Sequence, residues 1–212
     1  LILTHTHTHS YECGDPSNVL AIGKAKSEEW IALNIPDAKF WTPDDPYLYD
    51  LRVRYKNDNV LSYFGLRSFQ LGQDDNNVTR PVLNGEHVLV YSGFLDQSWW
   101  PDGIYVAPTD DALAFDIQVL KTFGMNLIRL HQKINPERWY YWADVTGAIV
   151  FQDMVQKYGG ASNDTVPLFL EDMKRAILGR KNHPCIVQCT VFNEGDCWNV
   201  FNVSETLNMA RS

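Results

Sequence analysis

From residue 81 onward the chain alternates short apolar runs with longer stretches of helical spacing, and few folds accept that rhythm. HVLVYSGF reads as a strand. After a loop, Thr109 or Asp110 caps DALAFDIQVLKTFG, in which Leu113, Ile117 and Leu120 recur on one face before Gly124 stops the helix. MNLIRLH is the next strand, and PERWYYWADVTG is a helix with Pro at its start and Gly at its end. AIVFQDM is a third strand. PLFLEDMKRAILGRKN is a helix, acidic early and basic late as the macrodipole prefers, and IVQCTVFNE is a fourth strand. This alternation implies parallel βαβ units, wound as a doubly wound sheet or as a (β/α)8 barrel, and periodicity alone does not choose between them.

The residues at the strand ends carry the argument further. No glycine-rich phosphate loop follows the first strand, which weakens a nucleotide-binding fold. Polar side chains gather there instead: Asp96 and Gln97 after the first strand, Arg129 and His131 on the second, Gln152 and Asp153 on the third, Asn193 and Glu194 on the fourth. Convergence of such groups on one rim is the pattern of barrel enzymes, whose chemistry sits at the C-terminal ends of the strands, and four strands make about half of a barrel. Taken alone, VFNEG favours a solvated loop that caps the next helix. Arg129 and His131 alternate and so share a face of an extended strand; a buried ion pair and a satisfied core histidine are their structural alternatives.

Residues 1–72 carry a different signal. WIALNI, YLYDLRVRY and VLSYFGLRSFQLG are short and strand-like, with breakers such as PDAKFWTPDDP and KNDN between them, and they predict the last strands of an antiparallel sandwich. QDDNNVTR, 73–80, is polar and aperiodic and reads as a linker to a second domain over 81–212.

Composition removes several classes of function. With 45% hydrophobic and 13% aromatic residues among 212, a sizeable core is within reach. A net charge of −8 with scattered Lys and Arg leaves no basic stripe for nucleic acid. No apolar run approaches the roughly 20 residues of a membrane span, and LILTHTHTHS lacks the pattern of a signal peptide. The absence of an initiator Met, and a final segment SETLNMARS that begins a helix from a Ser204 cap, predict that the chain is part of something longer. Cys13, Cys185, Cys189 and Cys197 form no CxxC pair and read as free thiols. The sequons at Asn77, Asn163 and Asn202 leave the compartment open.

Several segments resemble glycoside hydrolase family 2, the group of β-galactosidases, β-glucuronidases and β-mannosidases. WTPDDPYLYDL with FGLRSF is similar to that family's immunoglobulin-like sandwich running into the barrel, NGEHVLVYSG to its first barrel strand, and RKNHPCIVQCTVFNEG to its acid/base segment. LDQSWWPDGIYVAPTDDAL with RWYYWADVTGAIVFQDM resembles a β-galactosidase-like subgroup. The resemblance implies an immunoglobulin-like sandwich end followed by the first half of a (β/α)8 barrel. It implies a retaining exo-hydrolase of terminal β-linked sugars, foremost β-galactosides. Glu194 would be the acid/base and Asn193 the partner of the sugar 2-hydroxyl, while Arg129 orients the carboxylates and the nucleophile comes from a later strand. These residues alone are then expected to be inactive and to need the remainder of the polypeptide, or another chain, to complete the barrel. Trp100 and Asp102 are candidates for a sugar platform, Trp99 reads rather as packing, and Asp153 reads as a pocket residue. QDMVQKYGG and GFLDQ depart from the family's metal-ligand and first-strand His patterns, so neither a metal nor a cofactor is carried over.

Two rivals stand beside this reading. His5, His7 and His9 would share one face of a strand with the spacing of a three-histidine metal site, although no carboxylate sits at a suitable offset. A non-catalytic carbohydrate-binding protein descended from such an enzyme is the other.

Overall fold

The computed structural model describes residues 2–5, 19–26, 29–88, 93–101, 103, 105–155, 162, 164–194 and 200–211. Strands β1 (Ile2–His5), β2 (Val19–Ile22), β3 (Tyr49–Tyr55) and β4 (Asp58–Phe64) form an antiparallel sheet in the order β2-β1-β3-β4. A second antiparallel sheet, β5 (Phe69–Gln73), β6 (Thr79–Leu83) and β7 (Glu86–His87), follows. The third sheet is parallel, with β8 (Gly93–Asp96), β9 (Leu127–Leu130), β10 (Ile149–Asp153) and β11 (Ile186–Thr190) side by side in chain order. Helices α1 (Asp110–Thr122), α2 (Glu137–Thr146) and α3 (Val166–Arg180) connect its strands, and α4 (Val203–Arg211) follows β11.

The helices form where local signals place them. Thr109 caps α1 by accepting from the Ala112 amide, Asp110 and Asp111 occupy the first turn, and Leu113, Ala114, Ile117 and Leu120 form the buried stripe. Gly147 ends α2 at φ +78°, and a Cβ there would lie 2.3 Å from the Pro43 carbonyl oxygen, so conformation and space both require glycine. The Ser204 cap expected for α4 is replaced by Asn202: its Oδ1 accepts from the Glu205 amide and its Nδ2 donates to the Glu205 carboxylate.

Three expectations for the first 94 residues are corrected. WIALNI forms no ladder and Trp30 is 99% exposed, because strand propensity counts only where a neighbouring strand offers pairing. The segment 73–80 is a hairpin rather than a linker. Asp74 Oδ1 accepts from the amides of Asn76 and Val78, its Oδ2 accepts from Arg80, and this polar turn joins β5 to β6. His87 belongs to β7, so the strand expected over HVLVYSGF is displaced to Gly93–Asp96, and residues 89–92 lie outside the described set. The HTHTH stretch lies outside it as well, apart from the backbone of β1. Among the described residues no group of three or more His, Cys, Asp or Glu comes together as a metal site, and no helix is long and apolar enough to cross a membrane.

The sheet domain is locked to the N-terminal end of the parallel sheet. Trp41 is fully buried in the core formed with Ile117, Ile128, Tyr140 and Ile149, and its indole N–H donates to the Asp144 carbonyl at 2.8 Å. Burying ~200 Å² of indole contributes on the order of 5 kcal/mol. Arg67 donates to the Pro184 and Ile186 carbonyls at the start of β11. Beside it the Tyr63 hydroxyl donates to Asp144 Oδ2 at 2.8 Å, and the His183 ring lies between Asp144 Oδ2 (2.6 Å) and Glu137 Oε2 (2.9 Å), which Arg180 also pairs.

Both His183 nitrogens face carboxylates, so only the imidazolium donates to both. Burial alone would lower its pKa, but the hydrogen bonds and charges of Asp144 and Glu137 outweigh burial and raise it above the ordinary 6.5. Burial, and then Asp144, raise that of Tyr63, which stays a neutral donor. A raised histidine pKa stabilises the fold fully below the unfolded value and less as pH climbs through the folded one. Thermal stability should therefore fall as pH rises from about 6.5 into the alkaline range, and His183→Gln should flatten that slope. An unchanged slope in the variant would exclude His183 as its source.

Candidate active site

The C-terminal ends of β8 to β11 gather the polar groups. Register brings Arg129 of β9 opposite Phe151 of β10, two residues before Asp153, so that the guanidinium reaches along its neighbour to the strand end. Arg129 grips the Asp153 carboxylate with a fork: Nε lies 3.0 and 3.1 Å from Oδ1 and Oδ2, and Nη2 lies 2.7 Å from Oδ2. The same Nη2 donates to Asn193 Oδ1 at 2.6 Å. The Asp153 side chain is fully buried and that of Arg129 is 34% exposed, so the carboxylate depends on this partner while part of the Arg129 side chain stays open to solvent. The hydrogen bond to Asp153 holds Arg129 charged against its partial burial, with the charges of Asp153 and then Glu194 adding to the effect.

Asn193 is buried and Glu194 exposed. Glu194 adopts φ +49°, a left-handed backbone uncommon for a residue with a side chain and a frequent companion of functional sites.

At the other edge, Asp96 ends β8 with its Oδ1 2.7 Å from Lys133 Nζ, and its backbone carbonyl accepts from the His131 amide. His131 lies one residue beyond β9, in a turn that Gln132 continues at φ +54°, so strand alternation does not govern its side chain. Gln152 points toward α2, accepting from the Tyr140 hydroxyl and donating to the carbonyls of Lys133 and Asp153; it braces strand ends from behind. Trp100 packs on the main core and donates its indole N–H to the Ala112 carbonyl, while Trp99 meets Tyr105 edge to face at 5.1 Å. Asp102 lies outside the described residues. Lys133 was missed in the sequence; a lysine in the KIN stretch after the second strand carries no periodic signal, and only its burial reveals it.

The family described as Glycosyl hydrolases family 2 matches residues 4–67. A β-galactosidase of Lactococcus lactis is 26% identical over 172 residues, covering 76% of this chain and 17% of that protein. A putative β-glucuronidase of Formosa agariphila is 27% identical over 168 residues, covering 76% and 20% respectively. The chain thus spans no more than about a fifth of either relative's length. Among solved structures, a β-glucuronidase from Ruminococcus gnavus superposes with a TM-score of 0.74 at 21% identity, covering 99% of this chain and 36% of that one. A β-galacturonidase from Eisenbergiella tayi gives 0.71 at 22%, covering 84% and 32%. The shared architecture is a sandwich domain followed by part of a (β/α)8 barrel.

Proposed function

We propose that the chain is part of a glycosyl hydrolase of family 2, whose model matches residues 4–67, and that its parallel-sheet half supplies the acid/base side of a retaining β-glycosidase acting on terminal β-linked sugars, β-galactosides foremost. The observation that carries the reading is the Arg129 fork, which holds Asp153 and Asn193 together beside Glu194 at the strand ends. In this assignment Glu194 protonates the departing oxygen and later draws a proton from water. Asn193, held through its Oδ1 by Arg129, is assigned to the sugar 2-hydroxyl. The attacking carboxylate is assigned to a later strand, as the family resemblance implies. His131, Trp100 and Asp102 are assigned to the walls of the sugar site.

The test is to assay the full-length polypeptide on aryl β-galactosides, β-glucuronides and β-mannosides, and to follow the anomer first released by NMR. Release of the β anomer supports retention; release of the α anomer, or no hydrolysis of any β-glycoside, overturns the reading. In the same protein Asn193→Ala should lower kcat and kcat/KM together, by about 2 to 4 kcal/mol of transition-state stabilisation, since contacts to the 2-hydroxyl strengthen there. A rise in KM alone would show that Asn193 contributes ground-state binding instead.

A further inference from the structure

Lys133 follows the turn after β9, and its side chain is 4% exposed, where an unpaired lysine would be costly. Its ammonium lies 2.7 Å from Asp96 Oδ1 and donates to the Ser98 carbonyl at 2.5 Å. It also sits 4.8 Å from the Trp99 ring centroid and 5.7 Å from that of Trp100. The Lys133 backbone carbonyl accepts from Gln152 of β10 at 2.8 Å. One residue therefore ties the ends of β8 and β10 and the loop leaving β8 to the chain leaving β9. The two indoles it touches differ. Trp100 is anchored to the core and to α1, whereas Trp99 leads outward to Tyr105, which is 68% exposed.

We propose that Lys133 is a positioning residue, its caged ammonium setting the Trp99–Tyr105 pair as the aromatic face on which a pyranose or aryl ring of the substrate rests. Three features of the cage support this role. The carboxylate and carbonyl fix the ammonium, so the cation–π contact holds the Trp99 ring at a defined place instead of following it. The stem is buried, so the charge cannot leave with a loop movement. That charge is compensated by Asp96 and the indole faces, so Lys133 acts through the tryptophans and is not itself a receptor for a substrate carboxylate. Stacking at a rim is made equally in the ground and transition states, so its loss should appear in KM more than in kcat.

The inference rests on the glycosidase reading, and the experiment separates the two. Full-length protein carrying Lys133→Met is compared with the Asp96→Asn/Lys133→Met double variant, which leaves no charge alone. The single variant should raise KM for an aryl β-glycoside at least about tenfold and lower kcat by no more than about threefold. It should also speed amide exchange across residues 97–101 by more than about tenfold. The double variant should regain thermal stability while KM stays high, because the indole still lacks its cation. Recovery of KM together with stability would reduce Lys133 to a brace of the fold, and a wild-type KM in Lys133→Met would overturn the proposal outright. Should the wild-type protein hydrolyse no β-glycoside, the glycosidase reading fails, and exchange alone decides the grip on the loop: faster exchange upholds it and unchanged exchange removes it.

Discussion

Full-length protein with Glu194→Gln is expected to lose about 10²–10⁴-fold in kcat/KM on β-glycosides with poor leaving groups, and far less in kcat/KM on dinitrophenyl glycosides. Glutamine keeps the size of the side chain and the left-handed backbone at φ +49°, so the change removes a proton donor and little else. A dinitrophenolate leaves without protonation, which makes the first step independent of the acid. The second step still lacks a base to activate water, so the glycosyl intermediate should accumulate. Azide attacks that intermediate without needing deprotonation, and it should restore turnover with a β-glycosyl azide as product. An equal loss on good and poor leaving groups, with no response to azide, would remove Glu194 from the acid/base role.

Arg129→Met is the second large effect, and it acts on stability and activity together. The fork holds a fully buried Asp153 carboxylate, and the same guanidinium fixes the Asn193 amide. Removing one partner of a buried pair strands the other; a loss of about 3 kcal/mol is expected, toward the low end for such pairs because water reaches the 34% exposed Arg129 side. Lysine cannot reproduce the planar fork, so Arg129→Lys should recover only part of the loss. The Arg129→Met/Asp153→Asn double variant should regain most of the stability, since no lone charge is left, but not the activity, since Asn193 remains unfixed. Thermal unfolding and kcat/KM of the three variants check this, and wild-type values for both in Arg129→Met would show that the network carries neither fold nor chemistry.

Sequence and structure divide along the range of the interactions involved. Periodicity over a few residues marked α1 through Leu113, Ile117 and Leu120, and Gly147 stopped α2 where a left-handed residue was needed, because helix stripes and caps are written within one or two turns of chain. The order of elements in the parallel sheet was legible for the same reason, and so was the gathering of polar residues at its strand ends. Polar turn chemistry concealed the hairpin at 73–80, since Asp74 and its neighbours look alike in a linker and in an Asx turn until the strands on either side pair. WIALNI erred in the opposite direction: its apolar residues satisfy a strand pattern, but no neighbouring strand among the described residues completes it.

The partners of the charged groups were decided by tertiary structure alone. Arg129 meets Asp153 and Asn193 across 24 and 64 residues, and Lys133 meets Asp96 across 37. Trp41, which reads as part of the sheet domain, buries its indole in the core of the parallel sheet and bonds Asp144 across 103 residues. Short-range patterning fixes which residues share a face, through the 3.6 and 2.0 periods of helix and strand, and so it identified the rim and its candidate residues. Which cation neutralises which carboxylate depends on sheet register and on desolvation by distant segments, quantities that exist only once the strands have paired, and these gave Asp153 to Arg129 and Asp96 to Lys133.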